Sequence, residues 1–351
     1  MARRVGDPMA LIAALYSRHS ALAASVNVEE KLAIATEILR TAEQIGEKER
    51  MLRARYLRIL DFLELGDIPA VDKEIEAYTQ VAKELRQPLY LWHVPFYKAS
   101  RALMEGRFEE CERLAREALA IGRRAQDVVA PLFFEVQMNV LRVMQGQWED
   151  REDATKRFIE NYPKIPSQRA PLASLYCRLG RLEEARAELD QMAVDDFAGL
   201  PRDGSWIVTL CSLAKVCSYL SDGRRAATLY EMLLPYAGRQ LVTGSAAVLC
   251  GSVSRFLGLL ATATSRWDRA ISHFEDALRV DSRIGARPFV AHTQQEYGAM
   301  LLARGRPGDT EKAHDILDQA LATAEELGMK GVIKEAQALR WPGVDPGDQY
   351  L

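Results

Sequence analysis

Five histidines and five cysteines are the residues of this chain best suited to hold a metal or attack a substrate, and their spacing argues against both. His19, His93, His273, His292 and His314 stand far apart. Cys111, Cys177, Cys211, Cys217 and Cys250 form no C-x-x-C pair and all fall in helical patterns, which suits buried free thiols in a reducing compartment. There is no G-x-x-x-x-G-K-[ST] phosphate loop, no G-x-G-x-x-G after a strand and no H-E-x-x-H. Without convergent acids and bases the chain reads as non-enzymatic, with no cofactor and no metal. What remains is the chemistry of recognition. LYLWHVPFY, residues 89–97, is the most aromatic stretch. Aromatic faces with a few polar groups suit a peptide, a sugar or a small apolar ligand, although Tyr90 and Trp92 fit packing between repeats better and Phe96 and Tyr97 fit either role. Pro95 should kink this helix or shift its start. His93 and His292 each stand 13 residues before a glycine, Gly106 and Gly305, so they share one slot. They form either a pair of ligand contacts or two ordinary helix-face histidines. A metal shared between them is not expected, because several repeats separate them.

Composition narrows the field. The chain has 351 residues and a formal net charge of −3. It has no polybasic block, so a broad electrostatic footprint on nucleic acid is excluded. The pairs Arg123-Arg124 and Arg224-Arg225 read as solvated helix ends. No apolar run is long enough to cross a bilayer. Arg3 and Arg4 are not followed by an apolar segment with a small-residue cleavage site, so a cytoplasmic chain without membrane contact is expected. The end, WPGVDPGDQYL (341–351), reads as a flexible tail, with no DNA-binding helix-turn-helix.

The elements that must position these residues are helices. Apolar residues recur at helical spacing, as in Leu32, Ala35, Ile38 and Leu39. Strand signals are nearly absent, and the chain repeats itself. Short turns fall at Gly66, Gly106, Gly146, Gly180 and Gly305, and two more fit with serine in the glycine place, at Ser221 and Ser265. The intervals from Gly66 to Gly305 are 40, 40, 34, 41, 44 and 40 residues. Small residues flank the turns at fixed offsets: Gly258 and Gly298 before them, then Cys111, Ala185, Ala226, Ala270 and Ala313 after them, with Ala118, Ala277 and Ala320 further on. Such spacing lets paired helices approach closely. The second helix of each unit closes on a glycine, at Gly46, Gly122, Gly285 and Gly328, each expected at the left-handed C′ position. Residues 1–340 therefore read as an all-α, α-α superhelix of antiparallel helix pairs.

ARRVG, residues 2–6, is the same closing phrase, and Pro8 suits the first turn of the next helix. Residues 1–7 thus read as an incomplete first unit, the tail of a second helix without its body. Upstream repeats or domains are expected. The alternative is that Met1 is a true start and the first unit is atypical.

Leu257-Gly258, Ser265, Trp267, Ala270, Phe274 and Ala277 resemble the tetratricopeptide repeat pattern, with units longer than its usual period of about 34 residues. Residues 203–239, with GSVSRFLGLLA and HFEDALRVDSRIGARP after them, resemble the C-terminal arm of bacterial multidomain signal-transduction regulators of the ATPase/adenylate-cyclase or LuxR type. That resemblance implies an arm for signalling or transcription regulation that binds a protein segment or small inducer in its concave groove. The module it regulates would be an upstream nucleotide-binding or cyclase domain. A standalone adaptor that assembles two proteins is the alternative. In such a solenoid the first helix of each pair lines the groove. The turn-anchored register puts Arg53, Tyr56, His93, Phe96 and Tyr97 there, then Gln137 and Lys215, and finally Arg255, His292, Gln295 and Glu296. Trp148 and Trp267, just after turns, read as packing residues.

Overall fold

The computed structural model describes residues 6–148, 151–161, 169–243 and 247–342. They fold into a ribbon of antiparallel helix pairs. The first helices of the pairs are α1 (Pro8–Ala21), α3 (Lys48–Leu65), α6 (His93–Glu105), α8 (Val129–Gln145), α10 (Arg169–Arg178), α12 (Trp206–Tyr219), α14 (Val253–Ala263), α16 (Arg287–Arg304) and α18 (Lys330–Arg340). Their partners are α2 (Val28–Gln44), α4 (Ile68–Leu85), α7 (Phe108–Arg124), α9 (Arg151–Asn161), α11 (Leu182–Met192), α13 (Gly223–Leu233), α15 (Trp267–Arg283) and α17 (Asp309–Leu327). A one-turn helix, α5 (Pro88–Leu91), precedes α6, and the break at Trp92 is the shifted start expected near Pro95.

The turns follow the sequence closely. Gly66, Gly106, Gly146, Gly180 and Gly305 are left-handed, with φ between 64° and 86°. Ser221 and Ser265 stand in the same conformation, at φ 52° and 55°, so the serine-for-glycine units are true repeats of the turn. Small residues do what their spacing requires. A Cβ on Gly258 would lie 2.9 Å from the Phe274 ring, and one on Gly298 would lie 2.7 Å from Leu317. Gly46, Gly285 and Gly328 end their helices as expected, with φ near 70°. Gly122 does not. α7 runs past it to Arg124, Gln126 takes the left-handed position at φ 54°, and Gly122 is the flat spot where Ala130 of α8 packs. Gly6 has φ 72°, while the helix-tail phrase before it, residues 2–5, lies outside the described residues, as do residues 343–351 of the expected tail.

One element departs from the all-helical pattern. β1 (Gln240–Val242) and β2 (Leu249–Ser252) form an antiparallel hairpin, with Gln240 opposite Ser252 and Val242 opposite Leu249. It accounts for the longest repeat interval, Ser221 to Ser265. The hairpin lies inside the superhelix: β1 touches α3 and α12, and β2 touches α6, α14, α15 and α16. Val248 and Leu249 are buried in the core formed with Ile59, Tyr97 and Phe133. Its base is anchored on α15, where Asp281 accepts from Gln240 Nε2 at 3.1 Å and from the Ser252 backbone N–H at 3.3 Å.

The two edges of the ribbon also meet. Tyr236 donates to the Ala24 carbonyl across 212 residues, and Arg239 to the Ser25 carbonyl across 214. Gly66 lies against Ile284, Gly106 against Leu327 and Gly146 against Gly331. Successive turns of the superhelix are therefore in contact, and α6 touches α16 while α8 touches α18. The open concave groove expected from sequence is in fact a closed interior, partly filled by the hairpin.

Candidate functional site

Closure redistributes the eleven groove residues. Phe96 and Tyr97 sit in the core, each 1% exposed, rather than on a binding face. Gln137 is also buried, and its amide donates to the Phe96 carbonyl at 2.9 Å and to Ser100 Oγ at 2.8 Å, tying α8 to α6. Arg53, Tyr56 and His93 border a pocket of about 730 Å³, together with Tyr78, Trp92 and Phe133. His93 stacks on Trp92 with centroids 3.7 Å apart, and burial pushes its imidazole down to about 4. Trp92 in turn donates to Asp127 at 2.9 Å.

The remaining five meet elsewhere. Lys215 of α12, Arg255 of α14 and His292 of α16 line a partly open cavity of about 150 Å³. Gln295 and Glu296 border an adjoining pocket of about 520 Å³, whose wall shares Lys215 and Arg178 with the cavity. Arg255 is 1% exposed and forms a two-pronged ion pair with Glu296, with Nε–Oε2 2.7 Å and Nη2–Oε1 2.6 Å. Both partners were legible as groove residues, and their pairing is set by α14 lying beside α16.

Sequence reasoning missed half of the cavity. Arg151 of α9, Arg178 of α10 and Trp148 line it too. Arg178 pairs with Glu335 of α18 and lies over the Trp148 ring, 5.2 Å from its centroid. Trp148 is thus a cavity wall as well as a packing residue. The available signal was the local one, an arginine beside each of two turns, and nothing in a single unit says that α8, α9, α10, α12, α14 and α16 converge.

The electrostatics are one-sided. Four cationic side chains line the cavity, and among the described residues no Asp or Glu does. Burial, reinforced by the neighbouring Arg255, brings the Lys215 ammonium down to about 7. Burial and the charges of Arg255, Lys215 and Arg178 hold His292 well below the ordinary imidazole value, so its ring is neutral. Neither ring nitrogen makes a hydrogen bond. Three other histidines are partnered: His19 meets Asp61 at 2.9 Å, His273 meets Tyr230 at 2.9 Å and His314 meets Arg340 at 3.2 Å. Cys211 and Cys250 also face the cavity, and burial raises both thiols, Cys250 to about 12. The five cysteines are free. Among the described residues no group of three His, Cys, Asp or Glu could hold a metal.

The helix pairing, the left-handed turns and the small residues between α14 and α17 decide the comparison with known proteins. Residues 249–326 match the tetratricopeptide repeat. The tetratricopeptide segment holds two helix pairs, α14 with α15 and α16 with α17, and contributes Arg255 and His292 to the cavity. Repeats of this kind generally mediate protein–protein interaction. No curated protein matches the chain. Among the described residues no helix is long and apolar enough to cross a membrane.

Proposed function

We propose that the chain is a non-catalytic, ligand-sensing arm: it holds a small inducer inside the superhelix and presents its outer helices to a protein partner. The observation that carries this reading is the cation-lined cavity bounded by six helices, α8, α9, α10, α12, α14 and α16, and by the hairpin. An occupant touching these helices would bias the fit of one superhelical turn on the next, which is how a ligand with differential affinity shifts a conformational equilibrium. An extended peptide along an open groove finds less support, because the hairpin and the edge contacts occupy that path. The regulated module, a nucleotide-binding or cyclase domain acting in cytoplasmic signalling or transcription, rests on the resemblance of residues 203–239 to regulator arms. A standalone adaptor is the second reading, supported by the general protein-binding role of tetratricopeptide repeats.

Hydrogen exchange on the full chain, with and without members of a small-molecule panel, separates the two. The sensing arm predicts slowed exchange in α12, α14 and α16 and a saturable rise in melting temperature. A chain indifferent to every small molecule, yet binding a protein segment on its outer helices, would establish the adaptor instead.

A further inference from the structure

Among the described residues the charge lining the cavity is unbalanced. Of its four cations, Arg255 is matched by Glu296 and Arg178 by Glu335. Lys215 and Arg151 have no carboxylate partner among the described residues. Arg151 is 5% exposed, its Nη2 reaches only Asn139, and its Nε makes no hydrogen bond. His292, 5% exposed, adds a ring with both nitrogens unpartnered. Arg151 is buried without a carboxylate, and half-buried Lys215, its Nζ 5.4 Å from the centre of the Phe256 ring, acts on the unsatisfied His292 ring together with Arg178, so this part of the wall favours an anion. The rest of the wall is apolar: Val140, Met144, Leu175, Phe256 and Phe289, with the Trp148 ring under Arg178. A cavity of this volume elsewhere admits a benzene-sized body.

We propose that this cavity binds a small organic anion, its charged head placed among Lys215, Arg178 and the His292 ring and its compact apolar body set against Trp148, Phe256 and Phe289. The proposal rests on the ligand-sensing reading and names the ligand class. The adjoining pocket, walled by the same Lys215 and Arg178, is the entrance. A carboxylate or phosphate head receives charge-assisted hydrogen bonds there, stronger than neutral ones and strengthened further by exclusion of water. Binding also draws a proton. Lys215, brought down to about 7, regains its full charge when an anion arrives. The groups facing it are Arg255 with Glu296, Arg178 with Glu335, His292, Cys211 and Cys250. Burial raises both thiols and holds His292 neutral, so neither the cysteines nor His292 supplies this proton change.

Calorimetry and thermal shift on the full chain test this, with benzoate and phenyl phosphate as anions, benzamide as the neutral isostere and inorganic phosphate as the bare anion. Benzoate or phenyl phosphate should bind saturably, benzamide and inorganic phosphate at least about tenfold more weakly. Affinity should fall about tenfold from pH 6.5 to 9, with proton uptake measured at pH 8 from the buffer dependence of the heat. Lys215→Met removes a half-buried charge that its neighbour Arg255 disfavours, so it should melt higher than the parent at pH 6 and lose anion binding. Equal binding of benzamide and benzoate, anion binding unchanged in Lys215→Met, or absence of proton uptake would each overturn the proposal. If a neutral compound but neither anion slows exchange in α12, α14 and α16, the anion assignment fails and the sensing arm stands. If nothing binds inside, both fall.

Discussion

Asp281 holds the hairpin to α15 with a carboxyl that burial pushes up to about 7. Its two hydrogen bonds from Gln240 and Ser252 oppose that rise without cancelling it. The folded chain therefore binds this proton more tightly than the unfolded chain, whose value is the ordinary 3.8. Its contribution to stability is complete below pH 4 and is lost as the pH climbs to about 7. Asn fits the site well: its Oδ1 takes the Ser252 N–H, and its Nδ2 reaches Gln240 Oε1, which has no partner now, once that amide turns over. Asp281→Asn should stabilise the chain at pH 8 by about 2 kcal/mol and leave it nearly unchanged at pH 4. Urea unfolding at the two pH values checks this, and parallel pH slopes for both proteins would refute it. At this scale the sequence announced Arg255, Glu296 and His292 by helical register, because a register reports which face a residue occupies. It was silent on Asp281, whose role exists only because the hairpin reaches it.

The helix pairs are where the sequence spoke most clearly. Ser221 and Ser265 could be placed in left-handed turns because the repeat phase demanded a turn there. The non-glycine side chain costs about 1 kcal/mol in that conformation, partly offset by glycine's greater freedom when unfolded. Ser265→Gly should therefore raise stability by about 0.5–1 kcal/mol. Gly122 illustrates the opposite case. Phase put it at the end of a helix, whereas α7 continues and uses it for contact with α8. A Cβ there would lie 2.3 Å from the Ala130 Cβ. Gly122→Ala should destabilise by about 1–3 kcal/mol, although alanine is the better helix former, because overpacking outweighs propensity. Thermal unfolding of the two variants gives shifts of opposite sign if this is right. The hairpin was missed because RQLVTGSAAVLCGS alternates only briefly between long helical runs, and its strands are buried on contact with six helices.

Closure of the superhelix can be isolated by comparing two glycines of one backbone type. Gly146 and Gly180 have φ of 73° and 74°. Around Gly180 a Cβ would meet nothing within 4 Å, whereas on Gly146 it would lie 2.3 Å from the Gly331 nitrogen, across the seam between α8 and α18. Gly180→Ala should cost only the left-handed penalty of about 1 kcal/mol. Gly146→Ala should cost at least about 1–3 kcal/mol more and loosen the seam. Small-angle scattering should show a larger radius of gyration for Gly146→Ala alone. Equal radii and equal stability losses would mean that the seam is not a stabilising contact. Opening it should also weaken any ligand held inside, since Arg178 is positioned by Glu335 of α18.

The sequence by itself determined the helix pairs, the phase of the repeat and the turns between paired helices. These depend on periodicity, small-residue spacing and backbone freedom within about forty residues, all of which are local. Only the tertiary structure decided that the groove is closed, that Phe96, Tyr97 and Gln137 serve the core, and that Arg151, Arg178, Lys215, Arg255 and His292 share one cavity. The physical reason is accumulation. Each unit is rotated slightly on the last, and whether the ribbon meets itself depends on the sum of those rotations and on a hairpin that fills the interior, neither of which is written in any single repeat.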